Sequence, residues 1–430
     1  MAQAMLVLAR RCPLRRAFLP SVAVLPRMPP KFAKKLGASA GAKDVDFCEP
    51  AAGATPAPKG RRKRPSAASP PPRGRETPPK QAAGAQAGAD EAAQDGEQPA
   101  KKPRARKPKP EGPYTCFREQ GSIPEPSLPR RPADRGIPAG RERFGVLAWN
   151  VGGLRAFLAN RVGDLQEAVR QSAPDVFGIM EHKLQAEGSD TAAALDSLLG
   201  AFPDYELGAV SYSTAKKGYS GTLVLIRKEC EKPLKVTPED LPSAADEGRL
   251  VVAEFEKLFV VLCYVPNSGE GLKRLSVRIE EWDVQLRDRL RAMAERKPVV
   301  LVGDMNVAHQ DRDIWNVEAP HIPKSAGTTP QERESFTKLL GSGFRDGFSL
   351  LHPEALGAFT YWSVRAGNRK TNRGLRLDYV LVSDGVALEG RDEEAAEPGA
   401  GPGRPVLLDT FHLAGLATGD HCPIGAVPAV

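Results

Sequence analysis

The sequence has few cysteines, few aromatic residues and no long apolar run, and residues 1–43 contain no acid. Six cysteines (Cys12, Cys48, Cys116, Cys230, Cys263 and Cys422) form no CxxC pair and no zinc-ligand spacing. That excludes a zinc-finger or disulfide framework and fits a reduced, intracellular chain. No apolar stretch reaches the roughly 18 residues that a membrane helix needs, so no membrane partner is expected. Charge is unevenly spread. Residues 1–142 hold 28 Lys and Arg against 13 Asp and Glu, and the rest holds 33 against 40. The net charge of +8 therefore arises in the N-terminal third. A basic tail suits a polyanion such as nucleic acid; the mildly acidic remainder must grip such a partner through a local patch.

The tail has its own punctuation. "LARRCPLRRAFLP" (8–20) alternates arginine with leucine-type residues, as an organelle transit peptide or a plain basic leader would. Met28 is a candidate internal start that removes this leader. "KGRRKRP" (59–65) and "AKKPRARKPKP" (100–110) are basic runs of nuclear-import type, although such runs also merely solvate a tail. The expected location is the nucleus, with a second mitochondrial or other organellar form. Proline, alanine and glycine dominate residues 50–112, a composition that buries too little surface to fold. Residues 1–142 are read as a disordered basic tail and 143–430 as the folded domain.

From Phe144 onward short apolar runs recur: "FGVLAWN", "DVFGIME", "GTLVLIR", "RLVVAEF", "LFVVLCYVPN", "PVVLVGDMN", "RLDYVLVS" and "DHCPIGAVPAV". Amphipathic stretches lie between some of them: "RVGDLQEAVRQSAPD", "GLKRLSVRIEEWDVQLRDRLRAMAERK" and "TPQERESFTKLLGSG". Strands interleaved with helices indicate an α/β domain. The adjacent runs "RLVVAEF" and "LFVVLCYV" predict an antiparallel hairpin, so two mixed sheets flanked by helices fit better than one parallel sheet. "EGRDEEAAEPGAGPGRP" (389–405) reads as an acidic surface loop. There is no internal repeat.

Several of these runs stop at polar residues. They end in or carry Asn150, Glu181, Tyr264 with Asn267, Asp304 with Asn306, and Asp378, while Asp420 and His421 open the last strand. One such residue alone would be an ordinary turn or cap, because Asn and Asp favour those places. Six repetitions point instead to one cleft holding carboxylates, amides, a phenol and an imidazole. Hard oxygen donors suit Mg²⁺, with Mn²⁺ as a substitute, rather than zinc. A carboxylate paired with histidine suits acid–base work or stabilisation of a phosphoryl oxyanion. Together they describe metal-assisted attack of water on a phosphate ester. Period-2 alternation predicts that Asp304 and Asn306 share one strand face and so reach one phosphate.

The segments "WNVGGLRA", "MEHK", "GYSG", "YVPN", "GDMNVAH", "TPQER", "NRGLRLDY" and "GDHCPI" occur in the order seen in the exonuclease III family of apurinic/apyrimidinic endonucleases, within the endonuclease/exonuclease/phosphatase superfamily. The chain resembles that family's eukaryotic base-excision-repair type over about 143–430. The resemblance implies a four-layer α/β sandwich and hydrolysis of the phosphodiester 5′ to an abasic site, leaving a 3′-hydroxyl. It further implies 3′-phosphodiesterase and 3′–5′ exonuclease side activities. The implied metal residues are Glu181, Asn150 and Asp420, with Asp304, Asn306 and His421 beside them. The implied catalytic residues are Asp304 for the attacking water, Asn306 for water and phosphate, His421 held by Asp378, and Tyr264 as a phenol donor. The implied DNA contacts are Arg155, Lys183, Gly218, Tyr219 and Asn267, with Tyr361 in the wall of a pocket for the flipped abasic sugar. The expected partner is double-stranded DNA with abasic sites, bound by a monomer working beside other repair proteins.

Departures from the family are few. Gly152 stands where relatives carry Asp or Asn, Leu375 where the vertebrate pocket has tryptophan, and Glu270 where the vertebrate enzyme inserts an arginine. "NVEAPHIPKSAGTTP" lacks two asparagines that grip the abasic strand, and Leu147 fills the place of a redox cysteine. A phosphomonoester phosphatase of the same superfamily would share most of the cleft, but "GYSG", "NRGLRLDY" and the pocket aromatic favour DNA. A non-catalytic DNA-binding protein with a weakened metal site is disfavoured, because Glu181, Asp304, Asn306, Asp378 and His421 are all retained.

Overall fold

The computed structural model describes residues 123–126, 128, 137, 140–389 and 404–430. The expected tail, with its leader and import runs, lies almost wholly outside these residues, as does most of the acidic loop at 389–405. Among the described residues, thirteen strands form two mixed sheets. The first contains β1 (Val146–Asn150), β2 (Val176–Met180), β3 (Tyr205–Ser211), β4 (Thr222–Arg227), β11 (Ala387–Leu388), β12 (Val406–His412) and β13 (Ile424–Ala429). Its order is β11-β12-β13-β1-β2-β4-β3. The second contains β5 (Lys235–Glu239), β6 (Leu250–Glu254), β7 (Phe259–Tyr264), β8 (Val299–Asp304), β9 (Phe344–Asp346) and β10 (Asp378–Ser383), in the order β5-β6-β7-β8-β10-β9. The expected hairpin is present: β6 and β7 pair antiparallel, with Val252 opposite Val261.

Alternation along the strands builds the layers. Val146 and Ala148 of β1 turn inward and meet Val260, Leu262, Val300 and Val302 of the second sheet. Leu147 and Trp149 turn outward beneath α1 (Leu154–Ser172) and α2 (Ser189–Ala201), which contribute Leu154, Phe157, Leu165 and Leu198. On the far side Val299, Leu301 and Tyr379 pack under α3 (Asp283–Ala294) and α4 (Pro330–Leu340), through Leu286, Leu290 and Phe336. The result is helix, sheet, sheet, helix. Strands β1, β2, β7 and β8 are buried along their whole length, which is why they read as continuous apolar runs.

Two boundaries differ from expectation. The helical stretch expected from Arg161 is preceded by a further helical segment from Leu154, the two meeting at a kink where Arg161 leaves helical geometry (φ −143°). The long amphipathic stretch after "YVPN" is not one α-helix: Val277–Trp282 winds as a π-helix before α3 begins. No described helix is long and apolar enough to cross a membrane. Glu142, just before β1, and Val430, just after β13, exchange backbone hydrogen bonds, each 3.0 Å; further upstream Ile123 is buried against Phe359, Trp362 and Cys422.

Candidate active site

Both sheets contain one internal parallel pair with a helical crossover, β1/β2 and β7/β8. Their C-terminal ends lie at one lip, the usual place for a ligand in α/β proteins. Antiparallel neighbours start at the same lip, so Asp378 of β10 lies directly opposite Asp304 of β8. Just before β13, His421 bridges to Tyr361. The fold thereby gathers residues far apart in sequence. Asn150 Nδ2 donates to Glu181 Oε1 and to Asp304 Oδ2, each at 3.1 Å, and so ties the two sheets together. Tyr264 donates its phenol to Glu181 Oε1 (2.6 Å), and Lys183 Nζ sits 3.0 Å from Glu181 Oε2.

Asp304 and Asn306 do come together, but not through strand alternation. β8 ends at Asp304, and Asn306 lies beyond it in the left-handed region (φ 48°). Its backbone N–H turns back onto Asp304 Oδ1 (2.8 Å), while its side chain donates to Val265 O (2.9 Å) and accepts from Asn267 Nδ2 (3.0 Å). Glu181 and Lys183 are also left-handed, at 52° and 57°. Non-glycine residues rarely adopt this geometry, and such strain concentrates at functional sites.

His421 Nδ1 bonds Asp378 Oδ2 at 2.8 Å, and its Nε2 lies 3.7 Å from Asp304 Oδ2. Burial opposes charge on the imidazole, but Asp378 and Asp304 outweigh it and raise its pKa, which favours the cationic ring. Burial raises the Asp304 pKa as well, with His421 opposing and Asp378 reinforcing the rise. The Glu181 carboxyl is held below its usual range: burial works against this, and Lys183, Tyr264 and Asn150 overcome it. Burial and Glu181 keep the Tyr264 phenol protonated. Ligand atoms of Asp304, Asp378 and His421 lie within 4.8 Å of one another, close enough to hold one metal ion. Hard oxygen donors, no thiol among them, and the upward pressure on Asp304 from its acidic surroundings fit a divalent cation.

The remaining expected residues are less tightly grouped. Asp420 is half-buried, with Oδ1 3.8 Å from where a Cβ on Gly152 would sit. Lys183 also donates to Gly152 O (2.8 Å). Arg155 stands on α1 and pairs with Asp190 of α2. Gly218 is exposed with φ 68°, in the loop before Tyr219. The Tyr219 hydroxyl is already engaged by Arg249 (2.6 Å) and Arg274 (2.8 Å). Tyr361 lines a groove of about 420 Å³ with Trp315, His321, Arg373 and Leu375, its ring centroid 5.1 Å from that of His421. Several supporting residues were not foreseen. Thr360 Oγ1 accepts from Asp378 N (3.0 Å), and Trp149 Nε1 donates to His421 O (3.1 Å). Arg249 is fully buried, donating to Tyr264 O (3.0 Å) with its guanidinium 4.7 Å over the Tyr264 ring. Arg376 is clamped between Asp313 and Asp346, each at 2.8 Å. Arg376 lies within a quoted motif, "NRGLRLDY", which was the available signal; Arg249 had none, since buried arginine is uncommon.

Comparison with known proteins agrees with this geometry. A zebrafish (Danio rerio) protein, DNA repair nuclease APEX1, is 37% identical over 286 residues, covering 66% of this chain and 82% of the relative. An exodeoxyribonuclease of Bacillus subtilis (strain 168) is 34% identical, covering 65% and 97%. A DNA-(apurinic or apyrimidinic site) endonuclease of Dictyostelium discoideum is 32% identical, covering 66% and 70%. Among solved structures, the AP endonuclease LMAP from Leishmania major superposes with a TM-score of 0.58 at 27% identity, over 74% of this chain and 95% of that one. The endonuclease/exonuclease/phosphatase family model matches residues 147–421, a span that runs from β1 to His421 and contains every residue of the lip. With its two-sheet scaffold and its converging strand ends, this chain belongs to the endonuclease/exonuclease/phosphatase family.

Proposed function

We propose that this protein is a DNA-repair endonuclease that hydrolyses the phosphodiester on the 5′ side of an abasic site, using Mg²⁺ and leaving a 3′-hydroxyl. The observation that carries the reading is the convergence of Asn150, Glu181, Asp304, Asn306, Asp378 and His421 at one lip. The protein is a nuclease-type phosphodiesterase of a divalent-metal-dependent family. Glu181 would be the main metal carboxylate in this reading, with Asn150, Asp304, Asn306 and Asp420 around it; His421, expected beside them, has no ring lone pair to offer while it is cationic and acts on the phosphate instead. The cation supplies charge neutralisation at the phosphate.

The chain's own groups divide the remaining work. Cationic His421 faces a phosphate oxygen and stabilises the charge that develops there, while Asp378 fixes its ring. Asp304, with its raised pKa, accepts the proton of the attacking water. Asn306 orients that water and the phosphate, and Tyr264 keeps its proton to donate. Lys183, Tyr219, Asn267, Arg155 and Gly218 contact the strand, and the Tyr361 groove receives the abasic sugar. Trimming of 3′ ends is a side activity, in keeping with the naming of the Bacillus relative. The protein works as a monomer beside other base-excision-repair proteins, in the nucleus and in a mitochondrial form, as the import-type runs suggest.

The test is incubation of the purified full-length protein with a synthetic abasic duplex, with Mg²⁺ or with EDTA. A single cut 5′ to the lesion, abolished by the chelator, is expected. Full activity in excess EDTA rejects the metal, and an uncut duplex rejects the substrate.

A further inference from the structure

Beneath the lip lies a second buried layer of charge. Glu332 is fully buried, and its carboxylate takes donors from four places in the chain. Oε1 accepts from the Ser268 hydroxyl and from Arg278 Nη1 (3.3 Å). Oε2 accepts from Gly327 N (2.8 Å), Thr329 N (3.1 Å) and Thr329 Oγ1 (2.7 Å). Arg278, also buried, projects from the π-helical segment and donates to Met305 O and Asn306 O, each at 2.7 Å. These carbonyls belong to the turn that carries Asn306. Ser268 directly follows Asn267, whose amide donates to Asn306 Oδ1.

The structure assigns Arg278 and Glu332 the role of positioning residues for Asn306, an assignment that rests on the reading of Asn306 in the preceding section. The backbone of Asn306 is left-handed. That geometry is unfavourable for a residue with a side chain, and it persists only if the surroundings over-determine it. A planar guanidinium supplies two donors at fixed separation, matching two successive carbonyls; an ammonium cannot reproduce that fork. Glu332 balances the charge of Arg278 and at the same time pins Ser268 and Gly327 on either side of the turn. The two loops that face the phosphate, 265–269 and 304–309, are thus held by one ion pair. π-helical turns are rare and recur at functional sites. Here the turn carries Arg278 to the lip, with Arg274 one turn earlier bonding Tyr219 and Glu247.

A double-mutant cycle separates positioning from general support. In Arg278→Lys, kcat on an abasic duplex should fall about tenfold or more while KM moves less than about threefold. Placed on Asn306→Ala, the same change should cause almost no further loss, because the group it aims is gone. Ser268→Ala removes one hydrogen bond to the Glu332 carboxylate and keeps the ion pair, so it offers the same comparison with a smaller perturbation. It should show a smaller loss with the same non-additivity. Equal losses in both backgrounds, an unchanged kcat, or a full rate for Asn306→Ala alone would each overturn the assignment. The side-chain amide resonance of Asn306 gives a readout independent of turnover: slow solvent exchange in the unmodified protein, fast exchange in Arg278→Lys or Ser268→Ala. Unaltered protection overturns the positioning role even if the protein proves to cut no abasic DNA, an outcome that would by itself reject only the substrate.

Discussion

At the scale of single residues, the proposed function divides the lip into groups that would face the phosphate and groups that would aim them. His421 and Asp378 are one of each. His421→Asn removes a cation and should lower kcat by about 100- to 1,000-fold, whereas Asp378→Asn should fall less far because the ring remains. Single-turnover cleavage of an abasic duplex checks the order; rates within about twofold of wild type for both would make the pair structural. Gly152 is the chemical anomaly. Open space surrounds it, with Asp420 Oδ1 3.8 Å from a modest Cβ, so crowding does not explain the glycine. Its φ of 63° is a left-handed value that Asp and Asn tolerate better than other side chains. Gly152→Asp should therefore cost only about 1–2 kcal/mol of stability and lower the Mg²⁺ concentration for half-maximal cleavage. A normal melting temperature with an unchanged Mg²⁺ requirement would show that no ligand is missing there.

At the scale of elements, the buried strands were legible because both faces are covered, which leaves unbroken apolar runs. Strands β3, β5, β9, β11 and β12 were not: the first four are edge strands, which need little apolar character, and part-exposed β5 reads "KVTPE", while internal, buried β12 carries Asp409, Thr410 and His412, which interrupt its apolar run. Helix α2, "SDTAAALDSLLGA", buries only Thr191, Ala194 and Leu198, too sparse a stripe to stand out. The lip residues were legible as strand ends, but the turn geometry at Asn306 was not, because period-2 reasoning stops where the strand stops. The turn after β2 has a pH signature. His182 lies between left-handed Glu181 and Lys183, and burial lowers its pKa from 6.5 to about 4, against the opposing pull of backbone carbonyls. The unfolded chain binds this proton more readily between those values. Stability should therefore be full above pH 6.5 and decline as pH falls toward 4, by up to about 3 kcal/mol. Chemical denaturation across that window, for wild type and His182→Gln, measures the slope; an equal slope in both would assign it elsewhere.

At the scale of the whole molecule, net positive charge is concentrated in residues 1–142 and net negative charge in residues 143–430. Deleting residues 1–122, which keeps buried Ile123 and the Glu142–Val430 pairing in place, should weaken binding to undamaged DNA and flatten its dependence on salt, since phosphate contacts that release counterions are lost. Cleavage at saturating abasic DNA should barely change; a collapse of kcat would move the domain boundary upstream. The meeting of Glu142 with Val430 carries a different consequence. Because these two residues are joined by hydrogen bonds, the order in which the chain visits its strands is separable from the arrangement of those strands. A circular permutant that links Val430 to Arg141 through a short spacer, with new termini between Glu389 and Arg404, should rebuild both sheets and the lip. The same contact makes the carboxyl end a poor place for a fusion partner: Val430 is 8% exposed, and any appended chain must leave through that pairing.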